Sequence, residues 1–229
     1  GFDLLVNVWG ADHHGYVQRM SAAIEALGHD PACFEVAITQ LVRLTRDGVE
    51  VKISKRTGEL IELRELLDQV GPDATRLTYL LQSVDSPQTV DLAEMVAQSM
   101  DNPVFYVQMA HARLCSIGRV AAERGVTAVD GNVVDLAPLT HPRELELLRI
   151  LGDLPDTIDI AARDRSPHKV TAWLRELAGA VHGWYHDCPV LRDDVRAELR
   201  DARLALADAA LIGLRVGLGV LGVHAPESM

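Results

Sequence analysis

Cysteine is scarce: Cys33, Cys115 and Cys188 are the only three in 229 residues, and they stand far apart. No Cys-x-x-Cys pair occurs, so the sequence offers neither a thiol metal site nor a redox motif, and a reduced setting fits this usage. No apolar run is long enough to cross a bilayer, although 48% of the residues are hydrophobic and can supply a core. No signal-peptide pattern opens the chain. These absences predict a cytoplasmic protein with no membrane partner. Positive charge is also short. Lys and Arg total 22 against 33 Asp and Glu, a net charge of -11. Broad phosphate attraction dominates non-specific nucleic-acid binding, so a protein that grips RNA by charge alone is excluded. There is no internal repeat and no low-complexity segment. The length allows one large or two modest domains. The chain starts at Gly1 and opens almost directly on a strand, which reads as a cut through a larger fold.

What is present divides near residues 92–102, with an α/β pattern before and an all-α pattern after. Leu4–Trp9 reads as a buried strand ended by Gly10. Asp12 is the expected N-cap of a helix with Val17, Met20, Ile24 and Leu27 at helical spacing, closed by Gly28. Phe34–Leu41 reads as the next strand. Strand, helix and strand of this length make a βαβ unit and imply a parallel sheet. Ligands in such sheets bind at the carboxyl ends of the strands, where Gly10–Gly15 and Gln40 lie. Arg46-Asp47-Gly48-Val49 reads as a hairpin turn, because Asp-Gly supplies positive φ angles. Leu63–Val70 is a short helix closed by Gly71, Pro72 opens another, and Ser83–Asp91 reads as a polar connector.

Beyond it, Asp101-Asn102-Pro103 is a helix start: a capping side chain, then a proline whose missing N–H costs nothing. His141–Leu151 and Asp156–Arg163 read as modest helices separated by Gly152 and Pro155. Ser166-Pro167 caps a stronger helix with Val170, Trp173, Leu174, Leu177, Val181 and Tyr185 on its apolar face. A last helix from about Asp193 carries a stripe from Leu204 to Leu221.

Several groups could carry chemistry. In Lys52-Ile53-Ser54-Lys55-Arg56 two lysines flank a serine. By charge alone such a pentamer is a solvated turn. Mobile ammonium groups also suit polyphosphate, and residues 43–64 are locally positive within an acidic chain. Asp12-His13-His14 is a poor metal site, since adjacent side chains diverge and no further spaced ligand is visible. Gln40 is either a surface amide or part of a pocket wall. Read singly, Phe105 is core and Arg113 a solvated side chain. Trp173, Trp184 and Tyr185 sit on or beside the apolar stripe and read as core rather than base-stacking platforms.

The order and spacing of several stretches resemble one family. They are Val8-Trp9-Gly10-Ala11-Asp12-His13-His14-Gly15-Tyr16, the basic pentamer, Asp101-Asn102-Pro103-Val104-Phe105-Tyr106-Val107-Gln108 with Ala110-His111-Ala112-Arg113, and Leu221-Gly222-Val223-His224-Ala225-Pro226-Glu227-Ser228-Met229. Through nearly its whole length the chain resembles the C-terminal half of bacterial arginyl-tRNA synthetases, which are class I aminoacyl-tRNA synthetases. The resemblance implies the C-terminal part of a class I Rossmann-like catalytic domain over residues 1–95, then an α-helical anticodon-binding bundle over 96–229. The pentamer is then similar to the signature loop Lys-Met-Ser-Lys, with Ile53 in the methionine place. Lys52 and Lys55 would stabilise the pyrophosphate leaving group, with Ser54 as a secondary contact to ATP. Gly10 would admit adenosine closely, and Asp12, His13, His14, Gln40 and Ile53 would face ATP or the amino acid. Tyr106, Gln108, His111 and Arg113 would contact tRNA. The implied activity is ATP-dependent joining of arginine to its tRNA. Magnesium would accompany ATP, and the protein is expected to be a monomer.

The family's other signature, His-Ile-Gly-His, is absent from the chain, as are the residues expected to grip the arginine side chain and the N-terminal tRNA-binding domain. Met109 stands where tyrosine is common, and Pro189 where arginine often follows the cysteine. The chain alone is therefore expected to be inactive. A different reading is a non-catalytic RNA-binding or helical interaction module working through residues 100–229.

Overall fold

The computed structural model describes residues 2–51, 63–126, 131 and 133–229. They fall into two compact units, residues 2–51 with 82–93, and residues 63–81 with 94–229.

The first unit holds the expected βαβ element. Strand β1 (Leu5–Gly10) leads through a 3-10 turn (Ala11–Tyr16) into helix α1 (Val17–Ala26), and strand β2 (Phe34–Thr39) follows. β1 and β2 are parallel, in register from Leu5 opposite Phe34 to Gly10 opposite Thr39. Two expectations are corrected here. Asp12 does not cap the helix, because it lies within a full 3-10 turn that intervenes, and Tyr16 holds the cap position of α1 with no side-chain bond. Nor is β1 a buried strand: Leu5, Val6 and Val8 are exposed. Their sheet has two strands among the described residues, and α1 buries none of its own residues.

Strands β3 (Val42–Arg46) and β4 (Val49–Glu50) form the expected hairpin. Asp47 and Gly48 take φ of 51° and 78°, the left-handed pair that matches hairpin twist. The other side of β3 pairs in parallel with β5 (Gln88–Asp91), from Val42 opposite Gln88 to Thr45 opposite Asp91. The segment read as a polar connector thus ends in a strand. Its one aliphatic side chain, Val90, is buried, as is Leu44 on the central strand.

The second unit is helical. Helices α2 (Leu63–Val70) and α3 (Pro72–Tyr79) meet at Gly71, whose φ of 87° breaks the run. α4 (Leu92–Val96) follows β5, with Leu92 and Ala93 still counted in the first unit. α5 (Pro103–Glu123) begins where expected: the Asn102 side chain accepts from the Val104 N–H at 3.0 Å and donates to the carbonyls of Met95 and Ala97. α6 (Pro142–Gly152) is opened by a reciprocal cap between His141 and Glu144. α7 (Leu154–Arg163) follows after Asp153 alone, so Pro155 lies in its first turn rather than between helices. α8 (His168–Asp187) takes Pro167 as its cap, with no side-chain bond, while the Ser166 hydroxyl donates to the Asp164 carbonyl. α9 (Ala197–Val220) completes the unit.

On α8, Val170, Trp173, Leu174, Leu177 and Val181 are buried as expected, but Tyr185 is 44% exposed and Trp184 fills the core instead. The Trp173 indole donates to the Ile150 carbonyl at 2.8 Å. Ala74 and Leu77 of α3 belong to the same core as α5, α8 and α9. This unit takes in α2 and α3 as well as residues 94–229. Among the described residues no helix is long and apolar enough to cross a membrane.

Candidate functional site

The register of β1 with β2 decides the first site. Pairing Gly10 with Thr39 brings the turn Ala11–Tyr16 and Gln40 to one edge, the carboxyl ends of two parallel strands. The Thr39 hydroxyl donates to the Trp9 carbonyl at 3.1 Å and ties the edge together. A Cβ on Gly10 would stand 2.7 Å from Oδ1 of Asp12, so glycine lets that carboxylate fold back against the strand end. Asp12 lies 3.6 Å from Nε2 of His13, both well exposed. The His13 ring is 6.1 Å from that of Tyr16, which also carries the Arg19 guanidinium over its face. His14 and the Gln40 side chain are exposed, and the Gln40 N–H donates to the Val84 carbonyl. Gly10, Asp12, His13, His14 and Gln40 are therefore gathered at one exposed edge. No cluster of three or more His, Cys, Asp or Glu side chains fit to hold a metal occurs among the described residues. Lys52, Ile53, Ser54 and Lys55 lie outside the described residues.

The four expected tRNA contacts on α5 divide into two pairs. Tyr106 and Arg113 meet α8. The Tyr106 ring sits edge-on to His182 with centroids 4.6 Å apart, and its carbonyl accepts from His182 Nε2 at 3.0 Å. Gly179 makes room, since a Cβ there would lie 3.1 Å from the Tyr106 hydroxyl. Arg113 donates through Nη1 to His182 Nδ1 at 2.8 Å, and its guanidinium rests over the Tyr185 ring at 5.5 Å. His182 is thus neutral, with its proton on Nε2. Burial chiefly, then the Arg113 charge, hold its pKa below the ordinary 6.5, against the opposing bond to Tyr106.

Gln108 and His111 turn instead to the C-terminal tail. Gln108 Nε2 donates to the His224 carbonyl at 3.0 Å and to Asp73 at 3.2 Å. His111 is 1% exposed, and its Nδ1 donates to the Pro226 carbonyl at 2.8 Å. This corrects the expectation of an RNA-facing imidazole: the ring is inside the unit and holds the tail. Gly222 lets the tail turn, with φ of 66°, where any Cβ would collide with the Arg76 guanidinium.

His182 and Tyr185 join this site although the sequence reading takes Tyr185 as core and does not select His182. Their signal was present: they lie three apart, on the flank of a stripe that Trp184 rather than Tyr185 completes. Beside Tyr185, an open cavity of about 260 Å³ lies between α5 and residues 188–191. Its Pro189 carbonyl accepts from Arg203 at 2.7 Å, and Cys188 Sγ lies 3.3 Å from His141 Nδ1. Burial pushes that thiol up to about 11, so it stays protonated.

This helical arrangement matches a known one. The DALR anticodon-binding domain model fits residues 107–229, just over half of the chain. The chain belongs to this family. Its DALR domain therefore starts within α5 and includes α6 to α9 and the tail. Over its full length the chain is 47% identical to the arginine–tRNA ligases of Heliobacterium modesticaldum and Listeria monocytogenes, of which it covers 41%. It thus spans about two fifths of the length of the curated relatives it matches. A Campylobacter jejuni structure named for arginyl-tRNA synthetase aligns with a TM-score of 0.87 at 29% identity, over 99% of this chain and 48% of that one. The Thermus thermophilus arginyl-tRNA synthetase aligns at 0.77 and 23% identity, over 99% of this chain and 41% of that one, a likeness of fold alone.

Proposed function

We propose that the full-length protein carrying this chain is an arginine–tRNA ligase, which activates arginine with ATP and transfers it to tRNA. The observation that carries the reading is continuity: 47% identity to such ligases runs through both units, not through the DALR domain alone. In this reading the exposed strand-end edge with Gly10, Asp12, His13, His14 and Gln40 faces ATP and the amino acid, as strand ends do in parallel sheets. Lys52 and Lys55 neutralise charge on the departing pyrophosphate, assisted by Ser54, with Ile53 as the apolar member of the loop. Tyr106 and Arg113, with Tyr185, face the anticodon loop. Gln108 and His111 serve that surface indirectly, by fixing the tail.

Magnesium enters with ATP. The described residues supply no ligand set of their own, and none of these roles depends on one. The protein works in the cytoplasm as a monomer. The test is arginine-dependent exchange between pyrophosphate and ATP, with charging of arginine tRNA, by the full-length protein. Both should occur, whereas this chain by itself should make no arginyl-adenylate. A full-length protein that binds tRNA but supports no exchange would overturn the ligase reading and leave a non-catalytic RNA-binding module.

A further inference from the structure

Arg113 reaches His182 where α5 meets α8, and the backbone decides where the ring proton sits. A carbonyl oxygen accepts and never donates, so the Tyr106 carbonyl, 3.0 Å from Nε2, fixes the hydrogen on that nitrogen. A guanidinium donates and never accepts, so Nδ1, 2.8 Å from Nη1 of Arg113, presents its lone pair. Both bonds call for the same neutral tautomer. The ring is itself held, since Tyr106 meets it edge-on at 4.6 Å in the room that Gly179 leaves. Order thus passes from backbone to imidazole to guanidinium. The guanidinium then lies 5.5 Å over the ring of Tyr185, which is 44% exposed.

A second proton on the ring breaks this arrangement at one end. Nδ1 would then carry hydrogen and face another donor, and two like charges would stand side by side. The bond to Tyr106 survives, because Nε2 still donates, so Arg113 is the partner released. Burial opposes that proton most, and the Arg113 charge adds to it. Other charges around this part of α8 are paired. On the helices packed against it, Arg143 of α6 lies against Gly183 and pairs with Glu146 and Asp187, and Glu144 of α6 pairs with Arg203 of α9. On α8 itself the exposed His186 faces Asp187.

We propose that His182 is a positioning residue for Arg113: the neutral imidazole aims the guanidinium along the Tyr185 ring toward RNA bases, and protonation withdraws that aim. The inference rests on the reading above in which Arg113 and Tyr185 face the anticodon loop. It makes base preference, rather than overall affinity, the proton-sensitive quantity. General attraction to RNA grows as an acidic chain takes up protons. Preference instead falls as pH drops below the ordinary histidine value of 6.5 toward the lowered value of the folded protein.

The test titrates the full-length protein with arginine tRNA and with an anticodon-swapped tRNA, from about pH 8 to about pH 5, the range in which histidines change charge. The unaltered protein should prefer arginine tRNA at the upper end. That preference should fall by about fivefold or more toward the lower end, the least that a base-edge contact supplies. His182→Leu removes the acceptor, so it should lose as much of the preference at every pH. In an Arg113→Ala background it should cost nothing further, since both act through one contact. His182→Asn restores an acceptor at the Nδ1 position and does not titrate. It should recover most of the preference and hold it level across the range. An equal pH step in His182→Asn and the unaltered protein would overturn the proposal, as would a level preference in the unaltered protein. So would an undiminished preference in His182→Leu, or His182→Asn recovering no more than His182→Leu. If His182→Leu fails to fold, the two pH profiles decide. If the unaltered protein prefers neither tRNA at the upper end, the reading of this surface as anticodon-facing fails, and this inference with it.

Discussion

Nε of Arg203 lies 2.6 Å from Oε1 of Glu144, and the two side chains are only 10% and 1% exposed. The pair joins α9 to α6 and serves two further groups. Glu144 accepts from the His141 N–H at 2.8 Å, and Arg203 donates to the Pro189 carbonyl. Removing one member of a buried pair strands the other, at about 3–5 kcal/mol. Arg203→Ala and Glu144→Ala should each destabilise the helical unit by that order in urea unfolding. Replacing both with apolar residues of similar size should cost less than either alone. A double variant worse than both singles would show that the pair stabilises by attraction rather than by mutual relief.

Helix glycines in this chain differ in what surrounds them. A Cβ on Gly217 would stand 2.7 Å from Leu174 Cδ2 and 3.1 Å from Trp173, so its absence lets α9 approach α8. Gly118, exposed on α5, has nothing within 4 Å of the same position. Alanine exceeds glycine in helix propensity by about 1 kcal/mol, whereas overpacking costs about 1–3 kcal/mol. Gly118→Ala should therefore raise the melting temperature and Gly217→Ala lower it. Two shifts of the same sign would contradict the packing described.

His182 gives the α5–α8 contact a pH dependence. Its pKa is lowered in the folded protein, so the folded state binds the proton less readily than the unfolded chain. The stability this group contributes is complete above its ordinary value of 6.5 and is lost as pH falls through 6.5 toward the folded value. An NMR titration should place the imidazole midpoint below 6.5, with Tyr106 and Tyr185 resonances shifting at the same pH. A midpoint at or above the ordinary value would mean that Arg113 does not donate to Nδ1.

The readable features were those with a local cause. Asp47-Gly48 announced its hairpin because only such residues accept two positive φ values without strain. Asn102-Pro103 announced α5 because cap and proline act within one turn. β5 was hidden, since Gln88–Asp91 contains one aliphatic side chain and takes its order from β3, more than forty residues away. β1 reads as buried because its apolar run cannot show how many strands flank it. On α5 the division of the candidate contacts was latent in the spacing. Tyr106 and Arg113 are seven apart, nearly two turns, and share a face, while Gln108 and His111 fall on the other side. What occupies each face, α8 on one and the tail on the other, comes from residues about 70 to 115 positions away.

Under the ligase reading proposed above, Arg113 is the strongest candidate for reading the anticodon loop. In that reading a chain of net charge -11 would not hold RNA by general attraction, and selectivity would come from bases unstacked against particular side chains. Arg113 is oriented by His182 on one side and by the Tyr185 ring beneath it. A planar guanidinium held in this way can stack on a base or fork toward its edge, and a lysine can do neither. Stacking or base-edge contacts of this type are worth about 1–3 kcal/mol. Arg113→Ala should weaken binding of arginine tRNA by the full-length protein by that amount, and Arg113→Lys should recover little of it. Tyr185→Ala should match it, because the platform is lost. The measurement is titration of arginine tRNA and of an anticodon-swapped tRNA at two salt concentrations. The unaltered protein should prefer the former at both, and the preference should shrink in each variant. Equal affinity of the unaltered protein for the two tRNAs at each salt would remove base readout from this surface. Recovery by lysine would reduce Arg113 to a phosphate contact.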